Sequence, residues 1–405
     1  MVAERTILHL DLDTFFVSCE RLLDSKLEGK PILIGGTTDR GVVASCSYEA
    51  RTFGIHSAMP MKLARQLCPE AIIIRGNSAN YTQKSEEVTN IIKEHVPLYE
   101  KTSIDEFYAD FSGMDRFMNS LKLASEIRQK IINETGLPIS FGMSKNKTVS
   151  KVATGEAKPN NQIFVDYGTE KPFLAPLSVK KIPMIGEKTF QMLNNLGIRK
   201  VQTIQEMPVE MLKKAFGKNG RTIWQKANGI DNTPVIPYSE RKSISTERTF
   251  DKDTIDVEKL KAILLAMAEN LAFQLRRGEK LTACVTVKVR YSDFNTYTLQ
   301  SRLPYTSADH ILIPKVLELF NRIYQKRLLV RLIGVRFSHL VSGGYQINLF
   351  EDSEEVINLY QAMDKIRDKH GDRAVLRAAG IEARTISRFN PFRGEPPPLL
   401  ANRRS

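Results

Sequence analysis

Two acidic clusters sit where a folding chain normally places apolar residues, and they constrain this sequence more than any other feature. Residues 6–12, Thr-Ile-Leu-His-Leu-Asp-Leu, alternate as a half-buried strand does and run out into Asp11 and Asp13. Far along the chain, Asp105 and Glu106 interrupt a second alternating stretch, 104–111. Carboxylates beside buried strands are costly unless a cation neutralises them. One strand-end Asp is ordinarily a turn or cap residue; two strand-borne clusters point instead to a shared cation site. Oxygen ligands without accompanying His or Cys favour magnesium over zinc. Two such ions about 4 Å apart activate a hydroxyl and stabilise a departing pyrophosphate in an in-line displacement. Asp13 shares the face of Asp11 in a continued strand, so chemistry alone leaves it open as a further ligand.

The 405 residues exceed one ordinary core, and two to four domains are expected. Strands are expected at 6–12, 31–34, 42–44, 104–111 and 139–142, with helices at 16–23, from 48, at 81–96 and at about 116–134. Strands alternating with helices in this way indicate an α/β or α+β catalytic region. Residues 172–234 show short helical pieces punctuated by glycines and no strand pattern. A polar, proline-containing linker spans 235–243. Beyond it, strands at 281–291, 296–303 and 330–339 and helices at 256–277 and 309–325 form an α+β domain. Residues 342–405 hold one helical stretch near 353–379 and a proline-rich end.

The net charge is +13, and it is unevenly spread. Residues 1–235 carry 31 Lys and Arg against 26 Asp and Glu; residues 241–341 carry 18 against 10. A net +8 in a quarter of the chain is what a domain tracking phosphates requires. No apolar run approaches the roughly 20 residues of a membrane span, and the N-terminal residues lack signal-peptide character. Cys19, Cys46, Cys68 and Cys284 have neither disulfide nor metal-ligand spacing, which suits a reducing cytoplasm. The residues themselves leave three readings open: a polymerase, a two-metal nucleotide cyclase, or a non-catalytic DNA-binding adaptor.

Longer motifs add a resemblance. Asp11-Leu12-Asp13-Thr14-Phe15-Phe16, Ser45-Cys46-Ser47-Tyr48-Glu49-Ala50-Arg51, Ser103-Ile104-Asp105-Glu106, the run 140–147 and Ala157-Lys158-Pro159-Asn160 occur in the order found in the Y-family of DNA polymerases. The bacterial polymerase IV branch is most similar, and the likeness covers roughly residues 5–350. It implies a multidomain α+β, right-hand fold with a ferredoxin-like palm (1–16 and 78–166), small fingers (17–77), a helical thumb (167–234), the linker, and a little finger (244–341). It implies a template-directed, low-fidelity translesion polymerase that adds deoxynucleotides to a primer 3′ end without proofreading. Asp11, Asp105 and Glu106 then hold two Mg2+ ions with the Leu12 carbonyl assisting, and Asp13 does not.

By the same resemblance Phe16 is a steric gate against a ribose 2′-hydroxyl. Phe15, Phe16, Ser45, Tyr48, Arg51 and Lys158 bind the nucleotide, Arg and Lys serving the triphosphate as fork and point charge. Gly41, Ala44 and Ser45 suggest a roomy pocket that tolerates damaged bases. Residues 182–198 resemble a helix-hairpin-helix, whose backbone N–H groups meet a duplex phosphate without reading sequence. Gly186, Lys188 and Thr189 are its expected DNA contacts, and Met184 stands where relatives have Gly. In the basic domain, Lys288, Arg290, Arg331 and Arg336 are expected to meet phosphates. Gln346-Ile347-Asn348-Leu349-Phe350 resembles the peptide that binds the bacterial sliding clamp, through Gln346, Leu349 and Phe350. The chain continues past it in a tail resembling that of the polymerase V catalytic subunit. Primer-template DNA, deoxynucleoside triphosphates and the clamp are the expected partners of a cytoplasmic monomer.

Overall fold

The computed structural model describes residues 5–114, 119–324, 327–343, 354–371, 374–381 and 383. They divide into two compact units, one reaching Ser239 and the other starting at Glu240. Gln346, Leu349, Phe350 and the proline-rich end lie outside the described residues.

A five-stranded sheet organises the first unit. It comprises β1 (Ile7–Leu12), β5 (Tyr99–Lys101), β6 (Glu106–Asp110), β7 (Ile139–Ser144) and β8 (Gln162–Phe164), ordered β5-β6-β1-β7-β8. Central β1 is antiparallel to both β6 and β7. Its alternation sorts its side chains: Leu8, Leu10 and Leu12 enter a core with Phe107, Phe141, Val88 and Ile127, while His9 and Asp11 take the opposite face. Two long helices contribute to that core, α4 (Ser78–His95) and α5 (Ser120–Thr135). The latter starts later than residue 116 because the Asn119 side chain caps it, accepting from the Lys122 N–H. Gly136, at φ 71°, ends it.

The face carrying His9 and Asp11 meets α6 (Lys147–Ala157). Glycine is required at position 142 for this. A Cβ there would stand 2.3 Å from the Ser150 carbonyl oxygen and 2.5 Å from the Thr154 nitrogen. Between β1 and α4 lie α1 (Phe15–Leu23), α2 (Tyr48–Arg51), α3 (Met61–Leu67) and a smaller sheet of β2 (Ile32–Gly35), β3 (Val43–Cys46) and β4 (Ile72–Ile74). The end of this unit is helical, as the sequence predicts: α7 (Glu170–Leu174), α8 (Glu187–Asn195), α9 (Val201–Glu206), α10 (Val209–Phe216) and α11 (Lys218–Ala227) share a separate core.

The second unit is a four-stranded antiparallel sheet covered on one face by helices. Its elements are β9 (Ser243–Thr254), α12 (Val257–Arg277), β10 (Lys280–Tyr291), β11 (Thr296–Thr306), α13 (Asp309–Ile323), β12 (Val330–Ser342) and α14 (Glu354–His370), with strand order β11-β10-β12-β9. Val285, Val287, Val289, Val335 and Phe337 point into a core against Leu264, Leu271, Val316 and Phe320 of the helices. Strand β9 is absent from the sequence reading, which ends a linker at 243. It is an edge strand whose inward residues include only Ile244 and Phe250 among the large apolar types, so its alternation is mostly polar. None of the described helices is long and apolar enough to cross a membrane.

Candidate active site

Strand register brings the two acidic clusters together. Asp11 lies directly opposite Glu106 in the β1–β6 pair, and cross-strand partners share a face. The ladder continues into the preceding bend, where the Leu12 N–H donates to the Asp105 carbonyl oxygen at 3.0 Å. Ser103 holds that bend: its hydroxyl bonds the Asp105 carboxylate and accepts from the Glu106 N–H at 3.0 Å. Burial pushes the Asp11 carboxyl up to about 7, against the opposing pull of Lys158, and Glu106 and Asp105 add to the rise. Burial raises Asp105 as well. The three carboxylates therefore feel one another electrostatically.

Helix α6 and its end supply the counter-charge. Lys158 Nζ donates to Asp11 Oδ1 at 2.5 Å and lies 3.3 Å from Asp13; Lys151 Nζ donates to Glu106 Oε2 at 2.5 Å. Burial works against the Lys158 ammonium, but Asp11 and Asp13 outweigh it and hold its pKa above the ordinary lysine value. Lys151 and His9 were not among the residues the sequence singled out. Both had a signal: Lys151 precedes Lys158 by two helical turns, and His9 precedes Asp11 by one strand period. His9 is wholly buried, its Nδ1 2.8 Å from the Thr154 hydroxyl and its Nε2 4.0 Å from Glu106. Burial, then Lys151 and Lys158, holds its pKa well below the usual histidine value.

Asp13 is differently employed. Its Oδ2 accepts from the Ser140 hydroxyl at 2.8 Å and the Asn160 N–H at 2.6 Å, tying β1 to β7 and to the loop after α6. Among the described residues no three His, Cys, Asp or Glu side chains already converge at metal-binding spacing. Asp11 and Glu106 are each turned onto an ammonium group. These donors nevertheless fit divalent cations of the magnesium type: hard carboxylates of Asp11 and Glu106 face one another across the β1–β6 pair, and two lysine cations stand where positive charge is needed.

The residues assigned to a nucleotide fall near this point in part. Tyr48 begins α2, its hydroxyl is buried without a hydrogen-bond partner, and its pKa is raised by burial and by Asp13. Arg51, exposed, holds its guanidinium 4.9 Å from the Tyr48 ring centre. Phe16 is partly exposed and stacks on Tyr81, centroids 4.4 Å apart, and the Tyr81 hydroxyl donates to buried Glu20 at 2.5 Å. The Phe15 ring is buried in the core, which leaves its backbone available to a ligand. Ser45 is buried in β3. Gly41 is small for a reason other than a roomy pocket, since a Cβ there would meet the Gly36 carbonyl oxygen at 2.3 Å.

The hairpin at 182–186 delivers the chain into α8 with Gly186 as its N-cap, and Gly186 and Lys188 are exposed. Met184 takes φ 80° at the hairpin and is 70% exposed. The turn thus keeps a left-handed conformation that glycine adopts more readily.

In the second unit, Thr286, Lys288 and Arg290 line the sheet face opposite the helices, and Arg336, paired in register with Thr286, joins them. Arg336 is exposed, and Arg290 donates to the Thr296 hydroxyl at 2.8 Å. Lys288 is already engaged by the Glu247 carboxylate, which lies across Gly334. A Cβ at Gly334 would meet the Glu247 Cγ at 2.7 Å. Arg331 stands apart from the row, its guanidinium 4.5 Å from the Phe294 ring centre.

Known proteins resemble this chain along most of its length. The profile of the impB/mucB/samB family matches residues 10–155, that of the same family's C-terminal domain matches 241–349, and that of the DNA polymerase-iota thumb domain matches 180–231. The chain is 39% identical to a DNA polymerase IV of Dehalococcoides mccartyi over 371 residues, covering 91% of this chain and 95% of that protein. It is 35% identical to the DNA polymerase IV of Desulfatibacillum aliphaticivorans over 388 residues, 93% and 97% of the two chains. Among solved structures, a Y-family polymerase chimera of Dbh and Dpo4 has a TM-score of 0.72 at 28% identity, covering 84% of this chain and 100% of that one. An insertion ternary complex of Dbh DNA polymerase gives 0.61 at 27% identity with the same coverage. The expected multidomain α+β, right-hand polymerase class is that of these neighbours. With relatives of such identity spanning nearly the whole of both sequences, the chain belongs to the Y-family of DNA polymerases.

Proposed function

We propose that this DNA-directed DNA polymerase performs translesion synthesis by two-metal-ion chemistry at Asp11, Asp105 and Glu106, without proofreading. The observation that carries the reading is the cross-strand pairing of Asp11 with Glu106 beside Asp105, each paired carboxylate holding an ammonium group. Two Mg2+ ions on these oxygens, with the Leu12 carbonyl, supply Lewis-acid stabilisation to the attacking 3′-hydroxyl and the departing pyrophosphate. Everything else falls to the chain. Lys158, Arg51 and the Tyr48 hydroxyl bind triphosphate oxygens, so Lys158 exchanges Asp11 for phosphate when a nucleotide enters. Phe16, braced by Tyr81, occupies the space of a ribose 2′-hydroxyl and admits deoxynucleotides. Gly186, Lys188 and Thr189 at the start of α8 hold a duplex phosphate, and Arg290 and Arg336 hold others.

Family membership removes the cyclase reading, which explains neither the hairpin nor the basic sheet, and the adaptor reading, which leaves the three carboxylates unexplained. The protein is proposed to act as a cytoplasmic monomer and to bind the sliding clamp through 346–350. The test is extension of a labelled primer on undamaged and abasic templates. Magnesium-dependent extension that passes the abasic site and is lost in Asp105→Ala supports the reading. Extension untouched by Asp105→Ala, or replicative accuracy in single-nucleotide misincorporation, refutes it.

A further inference from the structure

We propose that His9 is a positioning residue for Glu106, its Nε2–H being the donor that holds the carboxylate once the metal site is loaded, with Thr154 fixing the ring. The proposal rests on the two-metal reading above. The His9 ring is 0% exposed, and its Nε2 has no hydrogen-bond partner among the described residues. A buried polar atom left unpaired costs roughly 1–3 kcal/mol, so its retention calls for a use. The atom it faces is Glu106 Oε2, 4.0 Å away, and the Tyr108 ring, centred 4.5 Å from the imidazole, packs against it.

Which ring nitrogen carries the proton follows from the neighbours. Thr154 Oγ1 has one proton and three acceptors: His9 Nδ1 at 2.8 Å, the Ser150 carbonyl at 2.9 Å and the His9 carbonyl at 3.1 Å. The Ser150 carbonyl also receives the helical N–H of Thr154 within α6. Donation from Thr154 to Nδ1 places the ring proton on Nε2, where it faces a carboxylate. The opposite assignment would set a bare, buried Nε2 lone pair against the Glu106 oxygens, which is the less favourable of the two.

At present Oε2 is bonded to Lys151, a partly exposed ammonium on a flexible stem. Lys151 would be repelled by divalent cation charge held on the same carboxylates, and Oε2 would then need a donor that adds no charge. A ring N–H meets this need. Such outer partners of a metal-binding carboxylate are worth about 10- to 100-fold in metal affinity.

The test measures Mn2+ binding to the substrate-free protein by electron paramagnetic resonance, alongside the Mg2+ dependence of primer extension. His9→Leu is expected to weaken Mn2+ binding about tenfold or more. His9→Gln, whose amide can place a donor near the Nε2 position, is expected to recover most of it. Thr154→Val, which frees the ring, should weaken binding less than His9→Leu does. Folded His9→Leu with wild-type Mn2+ affinity overturns the proposal, provided that Glu106→Gln loses affinity in the same assay. If His9→Leu does not fold, unchanged affinity in Thr154→Val overturns it. Unchanged affinity in Glu106→Gln overturns the two-metal reading itself, and this proposal with it.

Discussion

Gly142 and Ser150 are in backbone contact: a Cβ on the glycine would stand 2.3 Å from the Ser150 carbonyl oxygen. That approach seats α6 on the β1–β7 face, and every group that α6 brings to the carboxylates depends on it. Thr154 reaches His9 and Lys151 reaches Glu106 only with the helix at this depth. Gly142→Ala should therefore push α6 outward, costing about 1–3 kcal/mol by overpacking. Urea denaturation gives the stability change, and primer extension should fall with it. A variant as stable and active as wild type would show that the helix has room to spare.

The carboxylate cluster should destabilise the metal-free protein at neutral pH. Burial lifts the folded-state Asp11 carboxyl from 3.8 to about 7; Lys158 opposes the rise and Glu106 and Asp105 add to it. A raised carboxyl pKa means the folded state keeps the proton longer than the unfolded chain. The stabilising contribution is thus complete below pH 4 and lost as pH climbs to about 7. In EDTA, wild-type stability should drop relative to Asp11→Asn by about 2–4 kcal/mol between these limits. Parallel pH profiles of the two proteins would contradict this, and added Mg2+ should restore the wild type.

Glu247 should weaken DNA binding. It neutralises Lys288 on the open face of the second unit's sheet, in the row that Arg290 and Arg336 extend. Removing its charge frees the ammonium for a phosphate. Glu247→Gln is expected to tighten primer-template binding about two- to fivefold at low salt, with the gain fading as salt rises. Fluorescence anisotropy across a salt series decides the matter. Weaker binding by the variant would assign Glu247 a supporting role instead.

Helix α14 should stabilise the second unit through buried charge. Arg367 donates to Glu269 at 2.7 Å with both side chains almost fully buried, and Arg276 bonds Asp364 at 2.6 and 2.9 Å and Asp309 at 2.7 Å. Among the described residues, Arg367→Ala leaves the buried Glu269 carboxylate with only the Arg377 guanidinium, 4.0 Å away, and should cost about 3–5 kcal/mol. Replacing both residues by apolar ones of similar size should cost much less. Urea unfolding, with hydrogen exchange over 354–371, tests both claims.

The carboxylates were legible because acidic residues rarely interrupt apolar strands, and the Asp11–Glu106 pairing then follows from strand alternation. Lys151, Thr154 and Ser103 were not, because hydroxyls and lysines are ordinary on helices and turns until register shows what faces them. The motif carries Phe15 and Phe16 together, and only helical geometry separates them, turning the Phe15 ring into the core while leaving Phe16 partly exposed. Strand β9 escaped notice since an edge strand has few inward apolar residues, and α14 was read as part of a tail because its anchors are ion pairs with α12 and hydrogen bonds between the Tyr360 hydroxyl and His310 of α13, far away in sequence.

The most direct measurement is anomalous diffraction from crystals grown with Mn2+, primer-template DNA and a non-hydrolysable deoxynucleotide. Two manganese peaks bonded to oxygens of Asp11, Asp105 and Glu106, with Lys158 moved onto the triphosphate, are predicted. A crystal in which nucleotide is bound but no peak touches these carboxylates, and Lys151 and Lys158 still hold Glu106 and Asp11, would contradict the account.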